Sequence, residues 1–184
     1  HELVLWVGLS RIQRAAYKCF VEGTSNVLCS RFGGLGPLSA IAFLKKITGH
    51  VAISDSSFGS ISKYCAETLG SEEEDEEVKR ATVIDWSMIH VTESGGSTVN
   101  IPHAAPALLK GSKKLELLVN LVDDLCLRRG HKVLIFSQSL RMLHIIAHCL
   151  DPRQGCIKSD LGVVRLDGSV GVAERTRRIQ AFNN

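Results

Sequence analysis

The sequence contains no apolar run long enough to cross a lipid bilayer. A spanning helix needs roughly 20 consecutive apolar residues, and no stretch of the 184-residue chain approaches that length. The six cysteines are widely spaced and form no C-x-x-C pair, which favours free thiols in a reducing compartment over a disulfide framework. Aromatic residues make up only 5% of the chain, but 45% of all residues are hydrophobic. The composition therefore predicts a chain that buries a core and has no membrane partner.

Positive and negative charges are unevenly divided along the chain. Residues 1–109 carry 9 Lys and Arg against 12 Asp and Glu, whereas residues 110–184 carry 13 against 7. The first part therefore has a net charge of −3 and the second a net charge of +6. A basic segment attached to an acidic one is compatible with nucleic acid as a partner but does not demonstrate it.

Residues 1–49 predict a short strand followed by a small helical module. Leu3–Val7 is a continuous apolar run typical of a strand. Ser10 and Gln13 have the spacing of a capping box, which predicts a helix from about Ser10 to Glu22. Pro37 then stands where a first helical residue would, and apolar residues continue at helical spacing to Gly49.

The composition of residues 50–111 predicts an acidic, flexible linker. The segment contains six adjacent carboxylates, Glu72 to Glu77, followed by stretches that bear Ser and Gly and by two prolines. Adjacent carboxylates repel one another and cannot be buried together, so they favour a solvated loop or a disordered tract. Two alternatives are a regulatory tail that masks a basic surface and, with Ser71 beside the run, a kinase target.

Residues 112–184 predict alternating helices and strands. A helix begins at Ser112 and ends before Gly130, and the later elements follow in order: a strand at Val133–Phe136, a helix at Ser139–Leu150, a strand at Val163–Leu166 and a helix at Val172–Phe182. This order is typical of an α/β layer with a parallel sheet and right-handed crossovers. Polar residues follow both predicted strands, so Ser137–Ser139 and Gly168–Ser169 would lie where a strand end becomes a helix N-terminus and can meet anions.

Several motifs in this order resemble the Swi/Snf-type ATPases of helicase superfamily two. SKKLELLVNLVDDLCLRRGHKVLIFSQSLRMLHIIAHCL and VVRLDGSVGVAERTRRIQAFNN resemble the opening of that family's second RecA-like lobe. LVLWVGLSRIQRAAYKCFVEG and GPLSAIAFLKKITGH resemble the end of its first lobe and the segment after it. Together these stretches cover most of residues 2–50 and 112–184. FSQS combined with the LDG turn resembles the excision-repair-like branch, and within it proteins similar to the Polo-kinase-interacting checkpoint helicase.

The resemblance implies a partial RecA-like sheet in residues 112–184 and a nuclear protein that moves along double-stranded DNA at the expense of ATP, in chromatin remodelling or DNA repair. Because the chain begins with His1 and ends directly after a helical pattern, we expect a fragment of such a protein. It has neither a G-x-x-x-x-G-K-[ST] loop nor a D-E-x-[HD] pair. We therefore expect ATP and magnesium to be used by the full-length protein, with no cofactor, metal or catalytic residue in this fragment and no hydrolysis by it alone.

The resemblance also implies which residues contact DNA. Phe136, Ser137 and Gln138 correspond to the family's motif four, and Arg175 falls where the next motif presents an arginine to the backbone. The candidate DNA-binding residues are Ser137, Gln138, Ser139, Gly168, Ser169 and Arg175. Without the resemblance, the sequence favours a simpler interpretation. In it, Ser137 and Ser169 cap or turn the chain, and Arg175 pairs with a surface carboxylate.

Other interpretations of the sequence remain open. His144 and His148 lie four residues apart on one predicted helix, but no third metal ligand accompanies them, so a polar flank with Arg141 is favoured over a metal site. A non-enzymatic protein-interaction module or truncated gene product is the main alternative function. A flavodoxin-like nucleotide-binding domain would need more strands than the sequence predicts.

Overall fold

The computed structural model describes residues 2–23, 37–53, 105–154, 156–157 and 161–184. Six α-helices lie in these ranges: α1 (Arg11–Gly23), α2 (Pro37–Gly49), α3 (Ala105–Lys110), α4 (Lys113–Val122), α5 (Leu140–Leu150) and α6 (Val172–Asn183). A π-helical turn, Asp123–Arg128, continues α4, and short 3-10 turns follow α2 and α5 at Val51–Ile53 and Pro152–Gln154. None of the described helices has the length and apolarity needed to span a membrane.

The helices begin where local capping signals predict. The backbone N–H of Ser10 donates to Oε1 of Gln13 (3.0 Å), and the N–H of Gln13 donates to Oγ of Ser10 (3.2 Å). This reciprocal pair satisfies two N–H groups that have no partner inside α1. Ser112 caps α4 in a similar way, because its Oγ accepts from the N–H of Leu115 at 3.2 Å.

One apolar core joins the N-terminal helices to α3, α4 and α5. Its members include side chains with essentially no exposure from each of these regions, among them Ile47, Leu108, Leu115 and Ile145. Phe20, in the last turn of α1, and Phe43, in the middle of α2, stack with their ring centroids 4.7 Å apart. The α1–α2 pair therefore packs against the C-terminal part of the chain rather than standing apart from it.

Three buried polar side chains connect segments that are distant in sequence. Gln13 is 1% exposed, and His50 and Ser112 are fully buried. The Nε2 of Gln13 donates to the carbonyl groups of Ile47 (2.8 Å) and Thr48 (3.2 Å), while its Oε1 accepts from the N–H of Lys113 (3.2 Å). These hydrogen bonds tie α1 to the end of α2 and to the start of α4.

The other two members of this group complete the connection. The Oγ of Ser112 donates to the carbonyl of Gly49 at 2.6 Å. Nε2 of His50 lies 2.8 Å from the carbonyl of Leu108, and its Nδ1 accepts from the N–H of Ala52 at 3.0 Å. A buried polar group is costly unless it is hydrogen-bonded, and all three side chains meet that requirement.

The prediction of a parallel, partial RecA-like sheet is wrong for the described residues, which contain no strand. The run Leu3–Val7, expected to be a strand, leaves Trp6 95% exposed. Val133–Phe136 and Val163–Leu166 also lie outside any regular element, and Phe136 is 88% exposed. A central strand is buried on both faces and paired through its backbone with neighbouring strands. An apolar run predicts the preference for such a site but cannot supply the partner strands.

The two ends of the predicted linker are ordered parts of the core. Val51–Ile53 is buried, and Ala105 and Leu108 of α3 have no exposed surface. Residues 54–104, including the acidic run Glu72 to Glu77 and its proposed regulatory role, lie outside the described residues.

The last helix, α6, is joined to the rest of the described chain mainly by polar contacts. None of its residues is buried. Its side chains reach back to the segment before it, through Arg175 and Arg178, and Lys132 donates from Nζ to the carbonyl of Asn183 at 2.8 Å. Directional hydrogen bonds therefore fix the place of α6.

Candidate nucleic-acid interface

The first group of predicted DNA-binding residues forms the N-terminal cap of α5. The Oγ of Ser139 accepts from the N–H of Met142 at 3.2 Å. The Oγ of Ser137 accepts from the N–H of Ser139 (3.2 Å) and donates to its carbonyl (3.3 Å). Gln138, between them, is exposed. Both serine hydroxyls are therefore engaged locally, while the amide of Gln138 faces solvent beside the positive end of a helix dipole.

The second group surrounds Asp167, which is not among the site residues predicted from the sequence. Oδ1 of Asp167 accepts from the N–H of Ser169 (2.9 Å) and from its hydroxyl. Oδ2 pairs with the guanidinium of Arg165 at 2.6 Å, and only 7% of the Asp167 side chain is exposed. Donors from Ser169, followed by the charge of Arg165, lower the pKa of Asp167 to about 2. The carboxylate is thus ionised at neutral pH and holds a tight turn.

Arg175 extends from the first part of α6 beside this turn. It is exposed, and among the described residues its guanidinium donates one hydrogen bond, from NH2 to the carbonyl of Asp167 at 3.2 Å. Arg175 forms no ion pair within the described part of the chain, so the predicted alternative of a surface carboxylate partner is not what these residues show. A guanidinium has five N–H donors. Arg175 therefore keeps donors and a full positive charge at the surface.

The backbone around Arg175 is also open to a ligand. Gly171, the N-cap of α6, supplies no side-chain hydrogen bond to the helix. Gly168 is exposed, and a Cβ built on it would meet nothing within 4 Å. The N-terminal N–H groups of a helix attract anions when no side chain caps them.

A cleft of about 400 Å³ lies between α5, the Asp167 turn and α6. It is lined by residues of α5, of the segment before α6 and of α6 itself: His144, Arg165, Asp167, Ser169, Val170, Gly171, Glu174 and Arg178. The sequence predicts neither Arg165 nor Arg178 as a site residue, and it places His144 only on a solvated flank. Arg178 could have been found from its spacing to Glu174, since residues four apart pair on a helix surface, and their side chains are 2.8 Å apart. The contact between His144 and Arg165 has no such local signal.

The cleft does not gather metal ligands. The ring of His144 faces Arg165, and burial together with that cation lowers the pKa of His144. Within the ranges that the structure describes, no three His, Cys, Asp or Glu side chains are grouped closely enough to hold a metal ion.

The structure keeps the two groups of predicted site residues separate. In the described ranges no hydrogen bond joins Ser137–Ser139 to Gly168, Ser169 or Arg175. The connection between them runs instead through α5, where His144 contacts Arg165, and then through Asp167.

Comparison with known proteins matches the C-terminal part of the chain to a family. Residues 113–184 match the helicase conserved C-terminal domain. The chain is 30% identical over 187 residues to the DNA excision repair protein ERCC-6-like of Danio rerio, an alignment covering 99% of this chain and 11% of that protein. No solved structure gives a significant match.

Two further relatives carry helicase or remodelling names. Protein CHROMATIN REMODELING 24 of Arabidopsis thaliana is 28% identical over 182 residues, covering 98% of this chain and 15% of that protein. Helicase ARIP4 of Xenopus tropicalis is 26% identical over 226 residues, covering 100% of this chain and 16% of that protein. The chain therefore spans less than a fifth of the length of these relatives.

Proposed function

Because the chain belongs to the Swi/Snf-type, helicase-like remodelling and repair family, we propose that it contributes DNA-backbone contacts to an ATP-dependent translocase of double-stranded DNA. The proposed contacts are Gln138 at the start of α5 and Gly168, Ser169 and Arg175 around the Asp167 turn. Chromatin is the proposed setting and the nucleus the proposed location, since the relatives are named for chromatin remodelling and excision repair.

The observation that carries the proposal is the exposed guanidinium of Arg175 beside an ordered turn. Asp167 and Ser169 fix the backbone there, and the N-terminus of α6 has no side-chain cap. Phosphate contacts of this kind position a protein on DNA without reading its bases. The excess of positive charge in residues 110–184 would add attraction over a longer range.

The proposal does not assign ATP hydrolysis to these residues. The sequence has no phosphate-binding loop and no D-E-x-[HD] pair, and the described residues contain no cluster of acidic ligands suited to magnesium. The sequence motifs and the described residues therefore offer no site that fits an ATP–magnesium complex. ATP and magnesium are proposed as cofactors of the full-length protein, held by residues outside this chain.

The test is duplex binding by the full-length gene product with Arg175→Ala. The substitution should weaken binding similarly for every DNA sequence and reduce the slope of log K against log salt by about one unit, since one phosphate contact is lost. Gln138→Ala should cost about 1 kcal/mol or less, because a neutral hydrogen bond exchanged with water contributes little net free energy.

The matched control is Arg177→Ala. Arg177 lies on the same helix and is 74% exposed, but it pairs with Glu174 at 3.3 Å. Its replacement removes the same charge and should leave binding nearly unchanged. Equal losses from Arg175 and Arg177 would indicate diffuse basic attraction, and a loss limited to particular DNA sequences would contradict backbone contact.

A further inference from the structure

We propose that Arg165 is a positioning residue, which holds the Asp167 turn and α6 at a fixed place against α5 and thereby sets where Arg175 lies. The role of Arg165 in placing α6 stands on the structure alone. Its consequence for DNA rests on the function proposed above.

The need for such a residue follows from the way α6 is attached. Apolar burial cannot fix the helix, because none of its residues is buried. Arg178 donates from NH1 to the main-chain carbonyl of Arg165 at 2.6 Å, and Glu174 accepts from Nε of Arg178 at 2.8 Å. The segment that contains Arg165 is therefore a main anchor of α6.

The side chain of Arg165 connects that anchor to α5. Its NH1 lies 2.6 Å from Nδ1 of His144, and its NH2 lies 3.0 Å from Nε2 of the same ring. The same NH2 is 2.6 Å from Oδ2 of Asp167. A neutral imidazole offers one acceptor nitrogen in either tautomer. His144 can therefore accept a hydrogen bond from one of these two N–H groups, and only while the ring is uncharged. Arg165 thus bridges a helix and a turn that share no other hydrogen bond within the described ranges.

The Arg165 side chain is largely enclosed by the residues that it connects. Only 27% of its side chain is exposed. Its Nε is buried and has no hydrogen-bond partner among the described residues. The guanidinium is therefore oriented by its contacts to His144 and Asp167, and little of it remains for a ligand. This arrangement separates Arg165 from Arg175, which presents its donors at the surface.

Replacement of Arg165 should shift the Asp167 turn relative to α5 but leave the hydrogen bonds within the turn intact. Asp167 would keep its two hydrogen bonds from Ser169, which are local, but the turn would lose its link to α5. His144→Ala removes the same link without removing a positive charge. Weaker DNA binding by this variant would therefore not be explained by lost charge.

The first experiment is amide hydrogen exchange on the intact chain carrying Arg165→Met or His144→Ala. Both changes should speed exchange in α6 by roughly tenfold, since a charge-assisted hydrogen bond is lost, and leave α3 and α4 unchanged. The matched control is Arg153→Met, because Arg153 also pairs with an aspartate two residues away, Asp151 at 2.7 Å, but is 86% exposed. Unchanged exchange in α6 of both test variants would overturn the proposal.

The second experiment is a double-mutant cycle on duplex binding by the full-length gene product. Arg165→Met should weaken binding on the order of tenfold alone and much less when Arg175 is already Ala, because it acts mainly through Arg175 and the neutral contacts of Gly168 and Ser169 on the same turn contribute less. Additive losses would mean that Arg165 contacts DNA itself or destabilises the fold generally, and would overturn the positioning role in DNA binding. If Arg175→Ala has no effect, the proposed function fails, and the exchange experiment still decides whether Arg165 holds α6.

Discussion

Acidification should destabilise the fold through one buried imidazole, that of His50. The ring has no exposed surface. Its Nδ1 accepts from the N–H of Ala52, so the proton of the neutral ring sits on Nε2 and is donated to the carbonyl of Leu108. Burial lowers the pKa of His50 from 6.5 to about 4. No acidic side chain contributes to this shift, and the folded chain therefore excludes the charged ring.

The sign and size of the effect follow from that pKa. Below pH 6.5 the unfolded chain takes up a proton on His50, whereas the folded chain does not until the pH nears 4. The contribution of the neutral His50 ring to the free energy of unfolding is thus fully present above pH 6.5. It falls as the pH decreases from 6.5 towards 4. The slope is about 1.4 kcal/mol per pH unit. Over the whole interval the loss amounts to about 3 kcal/mol.

The assay is urea unfolding of the chain and of His50→Gln at several pH values from 7.5 to 4.5. Gln can donate an N–H to the Leu108 carbonyl but does not titrate, and all other ionisable groups are shared by the two chains. The difference in the free energy of unfolding between the original chain and the variant should be constant above pH 6.5. Below pH 6.5 the original chain should lose stability steadily relative to the variant. A difference independent of pH would refute the reasoning. If the variant does not fold, NMR titration of the His50 ring in the original chain serves instead, and a pKa near 6.5 would contradict the prediction.

Two substitutions test the buried polar connection more directly by urea unfolding. Gln13→Ala should cost about 3 kcal/mol, because it leaves buried backbone groups without partners, whereas Arg14→Ala, on the exposed side of the same helix, should change stability little. Gly111→Ala should cost roughly 1 to 3 kcal/mol, because a Cβ there would lie 2.7 Å from Cε1 of His50. Gly162→Ala is its control, since a Cβ there meets nothing within 4 Å, and equal losses in either pair would contradict the packing described here.

Local signals predicted the helices well because capping is decided within a few residues. Ser10 and Gln13 form the reciprocal hydrogen bonds that their spacing predicts. Pro37 begins α2, and Ser139 caps α5. Each of these interactions joins residues no more than three positions apart, so the sequence alone contains the necessary information.

The strands could not be predicted from the same kind of signal. The apolar run Val133–Phe136 suits a buried strand, but a strand exists only through hydrogen bonds to another segment. The structure instead leaves Leu134 68% exposed and gives the run no strand partner within the described residues. The same limit applies to the candidate site. Arg175 was predicted by family resemblance, whereas Arg165 gains its importance from His144, 21 residues earlier.

Directional polar contacts, together with the apolar core, determine how the described segments of this chain are placed. Apolar packing is non-directional and tolerates small shifts of one helix against another. A hydrogen bond requires a donor and an acceptor at a defined distance, and Gln13 meets this requirement with residues 34 and 100 positions away. At α6, where no residue is buried, Arg165 and Arg178 supply a comparable constraint on the first half of the helix, and Lys132 supplies one at its C-terminal end. The position of Arg175, and with it any contact to a phosphate, therefore depends on side chains that contribute nothing to the apolar core.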